Sequence, residues 1–158
     1  MSRRIEPHLF VILGATGDLT SRKLLPALFH LMERADEPVV VLGTGSRDFD
    51  DETFRARSRD ALADAGIDGE RAAAWCDERV HFQRVGRDED FSALAARIAG
   101  IEADHGLSGN RVFYLALPPT VFPSAISGLG DAGLAVGPGW TRLVVEKPFG
   151  RDSASAAE

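Results

Sequence analysis

Three short segments carry residues whose types and spacing could do chemistry. Gly14-Ala15-Thr16-Gly17-Asp18-Leu19-Thr20-Ser21 follows an apolar run directly. Glycines at its first and fourth positions permit a tight turn in which backbone N–H groups approach a phosphate closely, and the N-terminus of a following helix attracts the same anion. The middle glycine of the usual dinucleotide pattern is Thr16 here, so a plain strand-to-helix turn is the competing reading. Asp18 reads most simply as a cap that complements the helix dipole. Gly43-Thr44-Gly45-Ser46-Arg47 ends a second apolar run with no acid at its tip. A ribose 2′-hydroxyl is usually bound there by Asp or Glu and a 2′-phosphate by Arg with small hydroxyl residues, so Ser46 and Arg47 favour NADP over a merely solvated loop. The third segment is Glu146-Lys147-Pro148-Phe149-Gly150-Arg151-Asp152. A lysine leaving a buried strand beside a coenzyme can donate to a polar substrate and hold it for reaction. The plainer reading of Lys147 is a snorkelling surface side chain next to a strand-ending proline.

These segments need strands and helices to position them. His8–Leu13 is a continuous apolar run, as expected of a strand buried on both faces of a parallel sheet. Val39 to Leu42, ending at Gly43, is a second; Val80 to Gln83 is a weaker third; Arg111 to Ala116 and Arg142 to Glu146 are the fourth and fifth. Leu24, Leu25, Leu28, Leu31 and Met32 recur at helical spacing, and Phe49 to Ala65, Phe91 to Ala103 and Val121 to Leu129 read as further helices. Gly137-Pro138-Gly139 is a tight turn. The alternation predicts an α/β fold of Rossmann type, a doubly wound parallel sheet in a single domain, with ligands outside the carboxyl ends of the strands.

Composition agrees. The 158 residues suit one core, and no run approaches the roughly 18 apolar residues of a membrane span. A net charge of -6 argues against a nucleic-acid surface. The lone Cys76 allows no internal disulfide and points to a reducing cytoplasm, and no His/Cys cluster suggests a metal. Sixteen of the 18 basic residues are Arg; the two lysines, Lys23 and Lys147, fall behind the first segment and inside the third. Because Lys and Arg differ in geometry and hydration, that placement favours a functional role.

Taken together, Phe10 to Leu31, Asn110 to Val121 and Trp140 to Asp152 resemble the N-terminal part of the glucose-6-phosphate dehydrogenase family, in order and spacing, over nearly the whole chain. The resemblance implies a coenzyme-binding domain over residues 1–152, with 153–158 opening a following segment. It implies that Gly14, Ala15, Thr16, Gly17, Asp18, Leu19, Thr20 and Ser21 form the coenzyme phosphate loop and that Ala116, Leu117, Pro118 and Pro119 line the adjacent groove. Lys147 would contact both the nicotinamide end of NADP and glucose 6-phosphate. The family commonly has Arg where this chain has Ser46, so Arg47 is expected to grip the 2′-phosphate in its place. Phe122 and Thr20 are further departures, where some members have Tyr and many have Ala.

The implied reaction oxidises glucose 6-phosphate to a lactone with NADP, the entry step of the pentose phosphate pathway, with a downstream histidine as base. His8, His30, His81 and His105 do not match that position, so no catalytic residue is assigned in this chain. The expectation is a piece that binds NADP without turnover on its own, from a cytoplasmic, homo-oligomeric enzyme with no nucleic-acid or membrane partner. A glucose–fructose oxidoreductase-like first domain and a non-catalytic NADP-binding module are the alternatives.

Overall fold

The computed structural model describes residues 6–17, 20–33, 38–86 and 90–145. Five strands, β1 (His8–Leu13), β2 (Val39–Gly45), β3 (Val80–Arg84), β4 (Arg111–Leu115) and β5 (Thr141–Val145), form one sheet in the order β3-β2-β1-β4-β5. Every pairing is parallel. Between them lie α1 (Leu25–Glu33), entered through a wide π-turn at Thr20–Leu24, then α2 (Asp51–Asp64), α3 (Gly69–Arg79), α4 (Ser92–His105) and α5 (Phe122–Asp131).

The central strands are apolar throughout because both of their faces are covered. Leu9, Val11 and Leu13 of β1 and Val40 and Leu42 of β2 join Leu94, Ile98, Ala125 and Leu129 of α4 and α5 in one core. Ile12 and Val41 point the other way, into a second core with Leu25, Phe29, Phe54, Leu62 and Cys76 of α1, α2 and α3. Helices on both faces of an all-parallel sheet make this the expected doubly wound arrangement.

The structure differs from the sequence expectations in three places. β2 runs on through Gly45, because Thr44 and Gly45 continue the ladder opposite Gln83 and Arg84. The first helix begins with the π-turn rather than as a regular α-helix. A helix with no counterpart in the sequence reading, α3, is capped by Asp68, whose carboxylate accepts the Arg71 N–H at 3.1 Å. Its core-facing stripe is short, Ala72, Trp75 and Cys76 at helical spacing, and two of these three are small residues.

At the β5 edge no described helix covers the sheet. Leu143, Val144 and Val145 are each about two-fifths exposed although they alternate between the two faces. Among the described residues no helix is long and apolar enough to cross a membrane.

Candidate functional site

β1 and β4 are neighbours whose connections leave the sheet in opposite directions, β1 toward β2 and β4 toward β5. Their carboxyl ends therefore open a crevice at the point where the winding reverses, the position at which such sheets bind ligands. The turn after β1 is built into it. Gly14 has φ +88°, and a Cβ there would overlap the Ala116 carbonyl oxygen and come within 3.0 Å of Leu117 Cδ2. Only glycine allows both the backbone conformation and the approach to the β4 exit. The Ala116 N–H donates to the Leu13 carbonyl at 2.8 Å, which closes the two strand ends against each other.

The other side of the turn is tied to β2. Both Gly14 N–H and Ala15 N–H donate to the Thr44 carbonyl, at 3.0 and 3.1 Å, and Gly17 N–H donates back to the Gly14 carbonyl at 3.3 Å. Gly43 is needed for the same closeness, since a Cβ there would sit 2.7 Å from Phe54 Cζ and 2.8 Å from Ala15 Cβ. Thr16 lies over the end of β2, with its Oγ1 3.7 Å from where a Gly45 Cβ would be. Ser46 and Arg47 follow on an exposed tip. The segment 43–47 itself carries no acid; the next residue is Asp48, also exposed.

Of the residues expected at the site, Gly14, Ala15, Thr16, Gly17, Ser46, Arg47, Leu117 and Pro118 thus come to one edge of the sheet. Leu117 is half-buried and Pro118 exposed just before a short 3-10 turn at Pro119–Val121. Thr20 and Ser21 open the π-turn that leads into α1. Asp18, Leu19, Lys147 and the rest of the Glu146–Asp152 segment lie outside the described residues. None of His8, His30, His81 and His105 sits on a strand-to-helix turn at this edge; they occupy β1, α1, β3 and the last residue of α4. A cavity of about 630 Å³ beside Phe29, Trp75 and Arg71 is at the opposite edge, where Pro38 leads into β2, away from this turn.

One residue of the corner escaped sequence reasoning. Arg57, on α2, donates from Nη2 to the Thr16 carbonyl at 3.0 Å, and its guanidinium lies 5.7 Å from the centre of the Phe49 ring. The two partners are 41 residues apart, and no spacing rule links them. The only signal available was its place in a run that alternates Arg55, Arg57 and Arg59 on the helix after the β2 tip.

A parallel sheet with a glycine turn seated at the β1–β4 switch point, tied to a β2 tip that carries Ser46 and Arg47, defines a dinucleotide-binding domain of Rossmann type. Residues 11–158 match the family model described as the glucose-6-phosphate dehydrogenase NAD-binding domain. The chain belongs to that family. It is 35% identical to the glucose-6-phosphate 1-dehydrogenase of Chlamydia pneumoniae over 99% of its own length and 33% of that relative's. To the enzyme of Leuconostoc mesenteroides it is 31% identical, over 95% of this chain and 32% of that one. A solved glucose-6-phosphate dehydrogenase in complex with its substrate glucose 6-phosphate superposes with a TM-score of 0.79 at 29% identity, covering 99% of this chain and 34% of the other. The glucose-6-phosphate 1-dehydrogenase structure from Mycobacterium avium gives 0.72 at 28% identity, over 95% and 32%. The chain spans about a third of the length of the curated relatives it matches.

Proposed function

We propose that this chain forms the NADP-binding part of an enzyme that oxidises glucose 6-phosphate to its lactone. The observation that carries the coenzyme half is the Gly14 turn, whose missing Cβ lets it close against the Ala116 carbonyl at the switch-point crevice, beside the β2 tip that carries Ser46 and Arg47. Gly14 to Ser21 would take the pyrophosphate on backbone N–H groups, and Leu117 and Pro118 would line the groove next to it. Ser46 and Arg47 would take the 2′-phosphate, Arg47 through a charge-assisted fork. Bound NADP accepts a hydride from C1 of the sugar. Lys147 would hold the sugar phosphate and the nicotinamide end together, so that the reacting carbons stay close.

The base for the C1 hydroxyl proton is proposed to lie in the part of the relatives that this chain does not span. That fits the placement of all four histidines away from the coenzyme edge. We place the whole protein in the cytoplasm as a homo-oligomer, from its lone cysteine and the family resemblance. The family match leaves a glucose–fructose oxidoreductase-like assignment without support.

Isothermal titration of the folded chain with NADP and NAD tests the reading. NADP is expected to bind more tightly, with Arg47→Ala removing most of the difference. No NADP binding by a chain that circular dichroism shows to be folded overturns it. Turnover of glucose 6-phosphate by this chain alone overturns the placement of the base.

A further inference from the structure

We propose that Arg57 is a second determinant of the 2′-phosphate site, fixing the Thr16 peptide and adding its own cation beside Arg47. The inference rests on the coenzyme reading above. Three observations converge on it.

First, no carboxylate among the described residues pairs with Arg57. Its hydrogen bond goes to a neutral carbonyl, Thr16 O, and its ring contact is with Phe49. By contrast Arg55, Arg59, Arg71, Arg79, Arg97 and Arg111 each have an acidic partner within 4 Å or closer. A part-buried guanidinium is costly unless a negative group compensates it.

Second, its hydrogen-bonding capacity is unfinished. Arg57 Nε is buried without a partner, and so is the hydroxyl of Thr44, whose carbonyl holds the Gly14 and Ala15 N–H groups. Two of the three such side-chain atoms among the described residues therefore flank the same turn. Buried polar groups are ordinarily satisfied, so a cluster of exceptions beside a glycine turn marks a place where polar atoms of a ligand complete the set.

Third, the local wiring joins Arg57 to the β2 tip. The Phe49 N–H donates to the Arg47 carbonyl at 2.8 Å, and the Phe49 ring is the one beneath the Arg57 guanidinium. Thr16, held by Arg57, lies over the end of β2 just before Ser46 and Arg47. One face of α2 thus delivers a fork-shaped donor to the corner between the phosphate turn and the tip. Such a donor matches a phosphate monoester better than a hydroxyl.

The test is titration of the 158-residue chain and its Arg57→Met and Arg57→Lys variants with adenosine 2′,5′-bisphosphate and with ADP. Arg57→Met is expected to weaken the bisphosphate by about tenfold or more, the range of a lost charge-assisted bond, and ADP by less than about threefold. Arg57→Lys is expected to recover part of the loss, because it restores charge but not the fork. The salt dependence of bisphosphate binding is expected to become shallower in Arg57→Met. An equal loss for both nucleotides would show that Arg57 only supports the turn and overturns the proposal, as does no loss for either. Should Arg57→Met fail to fold, Arg57→Lys still decides, since a purely structural role predicts the same ratio between the two nucleotides as in the parent chain. A parent chain that binds neither nucleotide refutes the coenzyme reading itself, which separates that failure from a failure of the Arg57 assignment.

Discussion

The carboxylate of Asp51 and the guanidinium of Arg97 meet at 2.7 Å across the outer edge of β3. The other Asp51 oxygen accepts the Phe82 N–H at 2.7 Å, while Arg97 Nη1 donates to the Phe82 carbonyl at 3.4 Å. Arg55 adds a bond from Nε to the Val80 carbonyl at 2.8 Å. β3 is an edge strand, and its outward backbone groups would otherwise invite another strand. A side chain from α2 and another from α4 occupy them instead, which also clamps helices from opposite faces of the sheet.

Removing that clamp should cost stability. Asp51→Ala leaves the Phe82 N–H unpaired and the Arg97 guanidinium without its carboxylate, at about 2 kcal/mol, or a fall in Tm of roughly 5 °C for a domain of this size. Burial alone would raise the Asp51 carboxyl, but the Phe82 N–H and the Arg97 and Arg55 guanidinium groups outweigh it and hold it below the ordinary range. A group depressed in the folded state stabilises above its unfolded value and loses that effect as pH falls. Urea titrations are therefore expected to show the difference between parent and Asp51→Ala shrinking below about pH 4.

Gly14 and Gly66 separate two costs of adding a methyl group. Both have positive φ, but a Cβ at Gly66 meets nothing within 4 Å whereas one at Gly14 strikes the β4 exit. Gly66→Ala should lose only the conformational term, about 1 kcal/mol, and keep full NADP affinity. Gly14→Ala should lose about 2–4 kcal/mol in denaturant unfolding and bind NADP at least tenfold more weakly. Equal stability losses in the two variants would contradict the close approach.

His81 makes the chain acid-sensitive in a different window. Arg55 Nη2 lies 3.1 Å from its Nδ1, so that nitrogen is the acceptor and Nε2 carries the proton toward His105 Nε2 at 3.3 Å. Burial, together with the Arg55, Arg97 and His105 side chains and against the pull of Asp51, brings the His81 pKa down to about 4. The unfolded chain protonates first, near pH 6.5, so folding stability should fall between about pH 6.5 and pH 4. After allowing for solvent screening of a half-buried ring the loss is about 1–2 kcal/mol. In His81→Gln the slope over that window should flatten; an unchanged slope would assign it elsewhere.

Cys76 offers a chemical probe of the same fold. It is fully buried in the α3 face of the core, and burial pushes its thiol up to about 12. At pH 8 it should resist a thiol reagent such as Ellman's until the chain opens, so the labelling rate should follow the unfolding equilibrium. Rapid labelling of the native chain would show that α3 detaches on its own.

The strands were legible in the sequence because burial on both faces leaves uninterrupted apolar runs, and the Gly14 turn was legible because a special φ demands glycine. The helix α3 was not, since its core face is only Ala72, Trp75 and Cys76, a stripe less than two turns long in an otherwise polar and alanine-rich segment. Ser46 and Arg47 could be placed at the end of β2 from the order of residues alone. Arg57 could not, because its role depends on α2 folding back over Thr16, a contact made in three dimensions between segments with separate sequence logic. The same holds for His81 and His105, which meet only because α4 runs back along β3.

The position of β1 also sets a timetable for synthesis. Leu9 is held by Val40 on one side and by Arg111 on the other, so the first of these five strands to be translated is the middle one of the sheet. Its second neighbour is translated roughly a hundred residues later, which at cellular elongation rates is about 5–20 seconds. Throughout that interval an almost wholly apolar strand has one bare edge and one uncovered face. The nascent β1-α1-β2 unit is then the natural client of a holding chaperone, and slowing translation between residues 50 and 110 should lower the soluble yield.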